Sequence, residues 1–182
     1  MIAENQKLKF TCIQIVQVGI ILGAMFFVIG SALALAGVRI VNPVHGNAKI
    51  KGEDVSYYYY GAKIMADAET TLIFKQGKCS ISDKKGKQYS QCWIHVAGGS
   101  AGLSFNKQGP LSIKTLGVEL EGGKSSGAVQ WNTSMIDGPE GALEFKIPKG
   151  GYVVLNFLWE VPKGFAPKRI KIGNLIDVSL QK

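Results

Sequence analysis

The sequence of 182 residues has few of the residue types that carry most nucleophilic and metal chemistry. It contains three Cys and two His, and only 19% of its residues are charged. Few side chains are therefore available as nucleophiles, general bases or metal ligands. The length suits one anchor and one modest domain, and excludes a large multidomain enzyme. We expect no cofactor and no metal, and we predict that the protein is not an enzyme.

Charge is missing altogether from Phe10 to Val38, a run of 29 residues. About 20 apolar residues are enough to cross the hydrocarbon core of a bilayer. The run therefore predicts a transmembrane helix over residues 10–38, preceded by a short tail over residues 1–9. We expect this helix to hold the protein in a lipid bilayer.

A cleaved signal peptide is the alternative interpretation of the apolar run. Ala34-Leu35-Ala36 is typical of a cleavage site, but the run is much longer than the apolar core of a signal peptide. Basic residues flank the run on both sides, so the positive-inside rule does not decide its orientation. We expect a cytoplasmic N-terminus and an exported C-terminal domain, because an oxidising compartment suits the paired Cys79 and Cys92.

Small residues recur along the predicted helix, and five of them share one side: Gly19, Gly23, Gly30, Ala34 and Gly37. Small side chains allow a second helix to approach closely, so this stripe predicts packing against other integral membrane protein subunits. The alternative is that glycine is simply common in transmembrane helices.

Residues 39–54 are polar and contain Pro and Gly, which predicts a linker, and residues 55–182 form the domain. Alternation of apolar and polar residues predicts strands at 143–147 and 153–161, with the turn Pro148-Lys149-Gly150-Gly151 between them. Further short apolar or β-branched runs lie at 70–74, 88–96, 112–121, 128–132, 169–172 and 175–180. This spacing predicts an all-β sandwich, and a partly open barrel is the second choice.

Cys79 and Cys92 flank a predicted hairpin. If Lys85 and Gly86 are the central residues of its turn, the two cysteines lie directly opposite each other, within the distance range of a disulfide. Such a bridge would contribute about 3 kcal/mol in the chain-entropy model. We predict the disulfide for an exported domain, and the alternative is a pair of free thiols.

Two segments resemble a known family. They are ISDKKGKQY, with Asp83, Gly86 and Tyr89, and a late strand that ends in Glu160-Val161-Pro162-Lys163. Together they resemble the immunoglobulin-like domains of unknown function on many bacterial membrane-anchored proteins and lipoproteins, which are related in fold to a secreted mycobacterial immunogenic antigen. The resemblance covers about residues 70–180. It implies an immunoglobulin-like sandwich in the periplasm or outside the cell, anchored in the bacterial inner membrane, with no catalytic residues.

Two sequence motifs point to known chemistry, and neither is complete. Ser100 lies in a G-x-S-x-G pattern, but both His precede it and no helix follows, so a flexible loop is the better interpretation. Gly123-Lys124-Ser125 is similar to the end of a phosphate-binding loop, but Val118 stands where the first Gly is required.

Two pairs of side chains have the residue types of metal ligands or acid–base groups. Cys92 and His95 have no second pair of ligands, and alternation places them on opposite faces of a strand. Glu119 and Glu121 share one face, but charged residues on a solvated strand face are the common explanation of such a pair.

Lysines are concentrated around the predicted hairpin, and a second basic group lies near the C-terminus: Lys75, Lys78, Lys84, Lys85, Lys87, and then Lys163, Lys168, Arg169 and Lys171. They favour contact with anionic lipid or an acidic protein surface, and a solvated surface is the alternative. Nucleic acid is disfavoured, because no aromatic residues are interleaved with the basic ones.

Four consecutive tyrosines, Tyr57, Tyr58, Tyr59 and Tyr60, place two rings on each face of a strand. Tyrosine suits positions where one end of the side chain is apolar and the other is wet, so we predict a partner contact or an aromatic belt near the headgroups. We single out this run and the hairpin lysines Lys84, Lys85 and Lys87 as the contact residues.

Three functions follow from these features. The first is a non-catalytic, single-pass accessory or scaffolding subunit of a membrane complex, with its helix packed in the membrane and its sandwich docked on the exported side. The second is a tethered cell-envelope module that binds a ligand or acidic partner through its basic hairpin and the loops at 97–110 and 121–127. The third, an envelope hydrolase, depends only on the incomplete Ser100 motif.

Overall fold

The computed structural model describes residues 37–121 and 127–180. The regular structure in these two ranges is entirely β and sandwich-like, as predicted. The thirteen strands are β1 (Val38–Ile50), β2 (Ser56–Ala66), β3 (Thr70–Lys75), β4 (Cys79–Asp83), β5 (Gln88–Tyr89), β6 (Cys92–Gly99), β7 (Ser104–Gln108), β8 (Leu111–Leu120), β9 (Val129–Ile136), β10 (Ala142–Ile147), β11 (Tyr152–Val161), β12 (Pro167–Ile172) and β13 (Ile176–Ser179).

The strands form three sheets. Six strands in the order β1-β2-β11-β6-β9-β8 make a closed sheet, because β8 returns to pair with β1 through Ala48, Lys49 and Ile50. A three-stranded sheet has the order β3-β10-β7, and a four-stranded sheet has the order β13-β12-β4-β5. The fold thus combines the two expected architectures, since one sheet closes on itself and the other sheets add a second layer.

Strand β11 is central to both hydrophobic clusters. Val153, Leu155, Phe157 and Trp159 are fully buried in the larger cluster, which also contains the inward side chains of the two smaller sheets. Leu158 points the other way, into a smaller cluster inside the closed sheet. Successive side chains of a strand point to opposite faces. A strand covered on both faces therefore has apolar residues at both odd and even positions. Each fully buried large side chain contributes about 1.5–3 kcal/mol.

Most strands lie close to where alternation predicts them, and the turn at 148–151 is present, with the Gly151 N–H donating to the Pro148 carbonyl at 2.8 Å. Its two flanking strands, β10 and β11, belong to different sheets. The turn therefore carries the chain from one layer to the other. Strand β7 lies within the segment predicted as a binding loop at 97–110, so that segment is largely strand.

The N-terminal boundary of the domain differs from the prediction. Residues 38–50, assigned above to the end of a helix and a linker, form β1, which pairs with β2 from Val38 to Ala48. Pro43 is accommodated by a shift of register between Val41 and Val44, where Asn42 has a φ of 51°, and Gly46 pairs regularly with Tyr59.

The predicted transmembrane helix, including Gly19, Gly23, Gly30 and Ala34, lies almost wholly outside the described residues. Gly37 is the first residue described, and it is in a turn with a φ of 87°. In the described ranges, no helix has the length and apolar character needed to cross a bilayer.

The four tyrosines are core residues, so the predicted contact role of this run is wrong. The expected division of faces is correct: Tyr58 and Tyr60 belong to the larger cluster, and Tyr57 and Tyr59 to the smaller one. All four side chains are nevertheless at most 9% exposed. The reason is that β2 is covered on both faces, by the interior of the closed sheet and by the second layer.

Phe157→Ala should lower the free energy of unfolding by about 3–5 kcal/mol, because it leaves a cavity between the layers. Ile73→Thr, on the 52% exposed Ile73 of β3, should change it by about 0.5 kcal/mol or less. Urea unfolding of the full chain in detergent, followed by tryptophan fluorescence, measures both. Equal losses in the two variants would contradict the described core.

Candidate functional site

Pairing of β4 with β12 brings the two basic groups of the sequence together. Ser80 lies opposite Lys171, and Ser82 lies opposite Arg169, although about 90 residues separate them in the chain. We call the resulting area the basic surface. It consists of exposed cations on the outer face of the four-stranded sheet and on its bordering turns: Lys78, Lys84, Lys85, Lys87, Lys168, Arg169 and Lys171.

Alternation along β4 and β12 explains this placement. Ile81 and Ile170 point into the larger cluster and are fully buried, so their neighbours in sequence point outward. The outward residues of β4 are the short Ser80 and Ser82. The long cationic side chains therefore flank the short polar side chains of β4 and do not enclose a cavity.

Asp83 holds the Lys84–Lys87 turn in shape. Its Oδ1 accepts hydrogen bonds from the backbone N–H groups of Lys85 and Lys87, both at 2.9 Å, and its carbonyl accepts one from the Gly86 N–H at 3.0 Å. Gly86 has a φ of 85°, which favours glycine over any residue with a Cβ. With the backbone held in this way, the side chains of Lys84, Lys85 and Lys87 are exposed to solvent.

Aromatic contacts join this turn to the body of the domain. The Phe165 ring meets the rings of Tyr89 and Tyr58 edge to face, with centroids 5.3 and 5.9 Å apart. Lys87 Nζ lies 5.2 Å from the centre of the Tyr89 ring. Asp83, Gly86 and Tyr89, the residues of the family-like segment, thus each have a structural role in positioning the lysines.

His45 adjoins the aromatic group formed by Tyr58, Tyr89 and Phe165. Its Nδ1 lies 2.6 Å from the hydroxyl oxygen of Tyr58, and its ring is half-buried. Burial lowers the pKa of His45 and raises the pKa of Tyr58 to about 12. The pair is therefore neutral at physiological pH, and it adds no charge beside the basic surface.

The carboxylates of the basic surface are already engaged. Arg169 donates two hydrogen bonds to Asp177, each of 2.6 Å. The hydrogen bond from Arg169 lowers the pKa of Asp177, which stays ionised. Asp83 binds the backbone of the turn, and Asp177 lies opposite Lys171 as well as beside Arg169, so these two acids offset only part of the positive charge of the surface.

Cys79 and Cys92 are free thiols, and the disulfide predicted between them is not formed in this structure. The expected register was one residue out: Ile81 pairs with Tyr89 and Ser82 with Gln88, which places Cys79 opposite Gln91. Cys92 instead lies in the closed sheet, opposite Trp159. The two buried thiols still meet between the layers, and burial, with a hydrogen bond to Cys79, raises the pKa of Cys92.

Residues of the incomplete catalytic and metal-binding motifs contact other parts of the fold. The Ser100 hydroxyl donates to the Tyr152 carbonyl at 3.3 Å and accepts from the Tyr152 N–H at 3.0 Å. The His95 ring stacks on Trp131, on the face of β6 opposite to Cys92. Glu121 is exposed beside Lys49, with 3.6 Å between the charged atoms.

A small groove lies next to the aromatic group. Its volume is about 140 Å³, and it is lined by the ends of β1 and β2 and by the segment that follows β11: Asn47, Ala48, Lys49, Ser56, Tyr57, Glu121, Val161, Pro162, Gly164 and Phe165. Its charged groups, Lys49 and Glu121, pair with each other. Among the described residues that line it, the groove therefore presents no unpaired charged side chain to a ligand.

No known protein family, curated protein or solved structure matches this chain. The resemblance to bacterial immunoglobulin-like domains stays a prediction based on the residues quoted for it.

Both basic groups are predicted from the sequence, but their adjacency in one surface is not. Nothing in the local pattern tells which strand β4 selects as its partner, since pairing between distant strands depends on the whole fold. A weak signal was present in Ser80-Ile81-Ser82 and Arg169-Ile170-Lys171, because both place apolar residues at alternate positions between polar ones.

Gly86→Ala should destabilise the protein by about 1 kcal/mol, because a Cβ at a φ of 85° is strained. Gly98→Ala is the matched control, since its φ is not positive and a Cβ there meets no atom within 4 Å. Urea unfolding of both full-length variants checks this. A Gly86→Ala variant as stable as the control would contradict the described turn.

Stability should fall as the pH drops below about 6.5, the unfolded pKa of histidine. The folded pKa of His45 is lowered, so the unfolded chain takes up the proton first and becomes favoured. In His45→Gln this contribution disappears. Urea unfolding at pH 7.5 and 5.5 should therefore show a smaller loss in the variant than in the parent, and an identical loss would contradict the assignment.

Proposed function

We propose that this protein is a non-catalytic binding module of the bacterial cell envelope, tethered to the inner membrane by its N-terminal segment. Its role is to recognise an acidic partner through the basic surface. The observation that carries this proposal is the β4–β12 pairing, which joins two basic groups from distant parts of the chain.

The charge balance of the basic surface supports recognition of an anion. Lys78, Lys84, Lys85, Lys168 and Lys171 form no ion pair with any carboxylate in the described part of the chain. Like charges held close together repel, whereas an acidic partner would relieve that repulsion and would be attracted over a distance of several ångströms. The surface therefore favours an acidic partner over a neutral one.

The shape of the basic surface supports a large partner. The outward residues of β4 are the short Ser80 and Ser82, and the cations beside them lie on exposed positions of β12 and of the bordering turns. Small ligands bind in concave sites that enclose most of their surface. An open and flat area such as this one is better suited to another macromolecule.

Three finer features remain part of the proposal. They are a periplasmic or extracellular location, an immunoglobulin-like kinship, and a disulfide between Cys79 and Cys92 in an oxidising compartment. What supports the last is that the two thiols adjoin in the interior.

An accessory subunit of a membrane complex is the other non-catalytic function predicted from the sequence. It depends on the stripe of small residues in the apolar segment, which lies almost wholly outside the described residues. It stays a prediction, and the basic surface is compatible with docking on the exported side of such a complex.

The triple variant Lys84→Gln, Lys85→Gln, Lys87→Gln should bind a labelled polyglutamate peptide at least tenfold more weakly than the parent. A cation near an anionic surface contributes about 1 kcal/mol, so three should exceed this factor. Fluorescence anisotropy with the full chain in a neutral detergent measures the affinity. Binding by the parent should also weaken as salt is added.

The matched control is Lys107→Gln, Lys146→Gln, Lys149→Gln, which removes the same charge from the three-stranded sheet and its neighbouring turn. It should retain most of the affinity. If both triple variants bind equally, the attraction comes from net charge alone. That result, or a parent that does not bind polyglutamate, would overturn the proposed function.

A further inference from the structure

We propose that the basic surface faces away from the bilayer and that its partner is an acidic protein surface rather than anionic lipid headgroups. This inference rests on the proposed function, and it names the class of partner that the basic surface meets. It follows from where the chain enters the domain and from how far the lysines lie from that point.

The chain enters the domain beside the β2–β3 turn. The Asp67 N–H donates to the Gly37 carbonyl at 2.7 Å, and Val38 pairs with Ala66. Arg39 donates from Nε and Nη2 to Asp67 Oδ1 at 3.1 and 2.9 Å. These contacts fix the entry point to the body of the domain, so we call this the entry end.

Little chain separates the entry end from the predicted membrane span. The apolar run extends to Val38, and β1 begins at Val38. A flexible linker would let the domain turn over and lay any of its faces on the bilayer. A span of about 20 residues within this run leaves about eight residues at most before β1, so the entry end is the part of the domain tethered next to the predicted span.

The Lys84–Lys87 turn, called the lysine turn, lies at the end of the domain opposite to the entry end. Strand β2 runs from Ala66 at the entry end back to Ser56, which pairs with Val161. The chain then passes through residues 162–166 into β12, where Pro167 lies opposite Asp83, the residue that begins the lysine turn. The contact of Phe165 with Tyr89 places that turn beside this far end.

The separation can be measured along β2. The ten steps from Ser56 to Ala66, at a rise of about 3.3 Å each, make β2 about 33 Å long, and the lysine turn lies beside its far end. The near border of the four-stranded sheet is also remote, since the Cys79 carbonyl accepts from Trp159 Nε1 at 3.3 Å and Trp159 pairs with Tyr58. The Debye length in physiological salt is about 8 Å. The separation is several Debye lengths, so salt screens the attraction between the lysines and headgroups at the entry end.

The entry end carries less positive charge than the basic surface. Arg39 is paired with Asp67, and Glu69 is exposed beside them. Its other cations are Lys63, which lies over the Tyr152 ring at 4.0 Å from its centre, and the exposed Lys149 of the turn that hydrogen-bonds to Ala66. Anionic lipids thus meet fewer cations at the end of the domain next to the membrane than an acidic partner meets at the far end.

The test places a fluorescent label at each end of the full chain in vesicles. Cys12→Ser removes the cysteine of the N-terminal segment, and either Glu69→Cys or Lys85→Cys adds an exposed one, while Cys79 and Cys92 are buried. The vesicles contain phosphatidylcholine and phosphatidylglycerol with a quencher on the headgroups. The label at 69 should be quenched severalfold more than the label at 85.

The same proteoliposomes are then titrated with the polyglutamate peptide. The parent should bind it equally well in pure phosphatidylcholine and in the anionic mixture, because the basic surface is not occupied by lipid. The variant with Lys84, Lys85 and Lys87 changed to Gln should lose at least tenfold in affinity in both kinds of vesicle.

The two measurements separate failure of this inference from failure of the proposed function. Strong quenching at position 85, together with loss of polyglutamate binding only in the anionic vesicles, would show that the basic surface binds lipid and would overturn this inference alone. Absence of polyglutamate binding in both kinds of vesicle would overturn the proposed function and the inference with it.

Discussion

Burial of β11 between two layers is the constraint on which the rest of the structure depends. Phe157 and Trp159 fill the space between the closed sheet and the smaller sheets and are fully buried. Trp159 also donates its indole N–H to the Cys79 carbonyl at 3.3 Å. Because a buried indole needs such a partner, this bond sets the position of β4 against the closed sheet. The position of β4 in turn sets that of β12, and hence of the whole basic surface.

The sequence predicted the strands better than their partners, for a physical reason. Alternation is a local property, so residues such as Leu143 and Phe145, or Ile170 and Ile172, reveal a strand and its buried face. Which strands pair depends on contacts between distant residues, and nothing local encodes that β12 lies beside β4. Alternation also divides Tyr57–Tyr60 correctly between two faces, but it cannot tell whether the second face is covered. Strand β1 is not predicted by the sequence because Pro and Gly are rare in strands; the bulge near Asn42 accommodates Pro43, and Gly46 pairs with Tyr59.

The candidate site was predicted in part, and the errors are instructive. Both basic groups and the lysine turn were found, since charge and turn residues are visible in the sequence. The cysteine register failed by one residue, which is enough to move a side chain to the other face of a strand. The thiols meet all the same, because Cys79 comes from the four-stranded sheet and Cys92 from the closed sheet. Burial that raises the pKa of Cys92 disfavours its thiolate, and the thiolate is the form that reacts in disulfide exchange.

The use of carboxylates around the basic surface bears on its role. Asp83 is consumed by the backbone of the turn, Asp177 by Arg169, and Asp54 by Lys163 at 2.9 Å. Each of these acids serves the local structure, and in the turn the single Asp83 stands against three lysines, Lys84, Lys85 and Lys87. An arrangement selected for stability alone would place acids among these lysines, because like charges at close range are mutually destabilising. The excess of lysines over acids in the basic surface is the feature that the proposed acidic partner would complement.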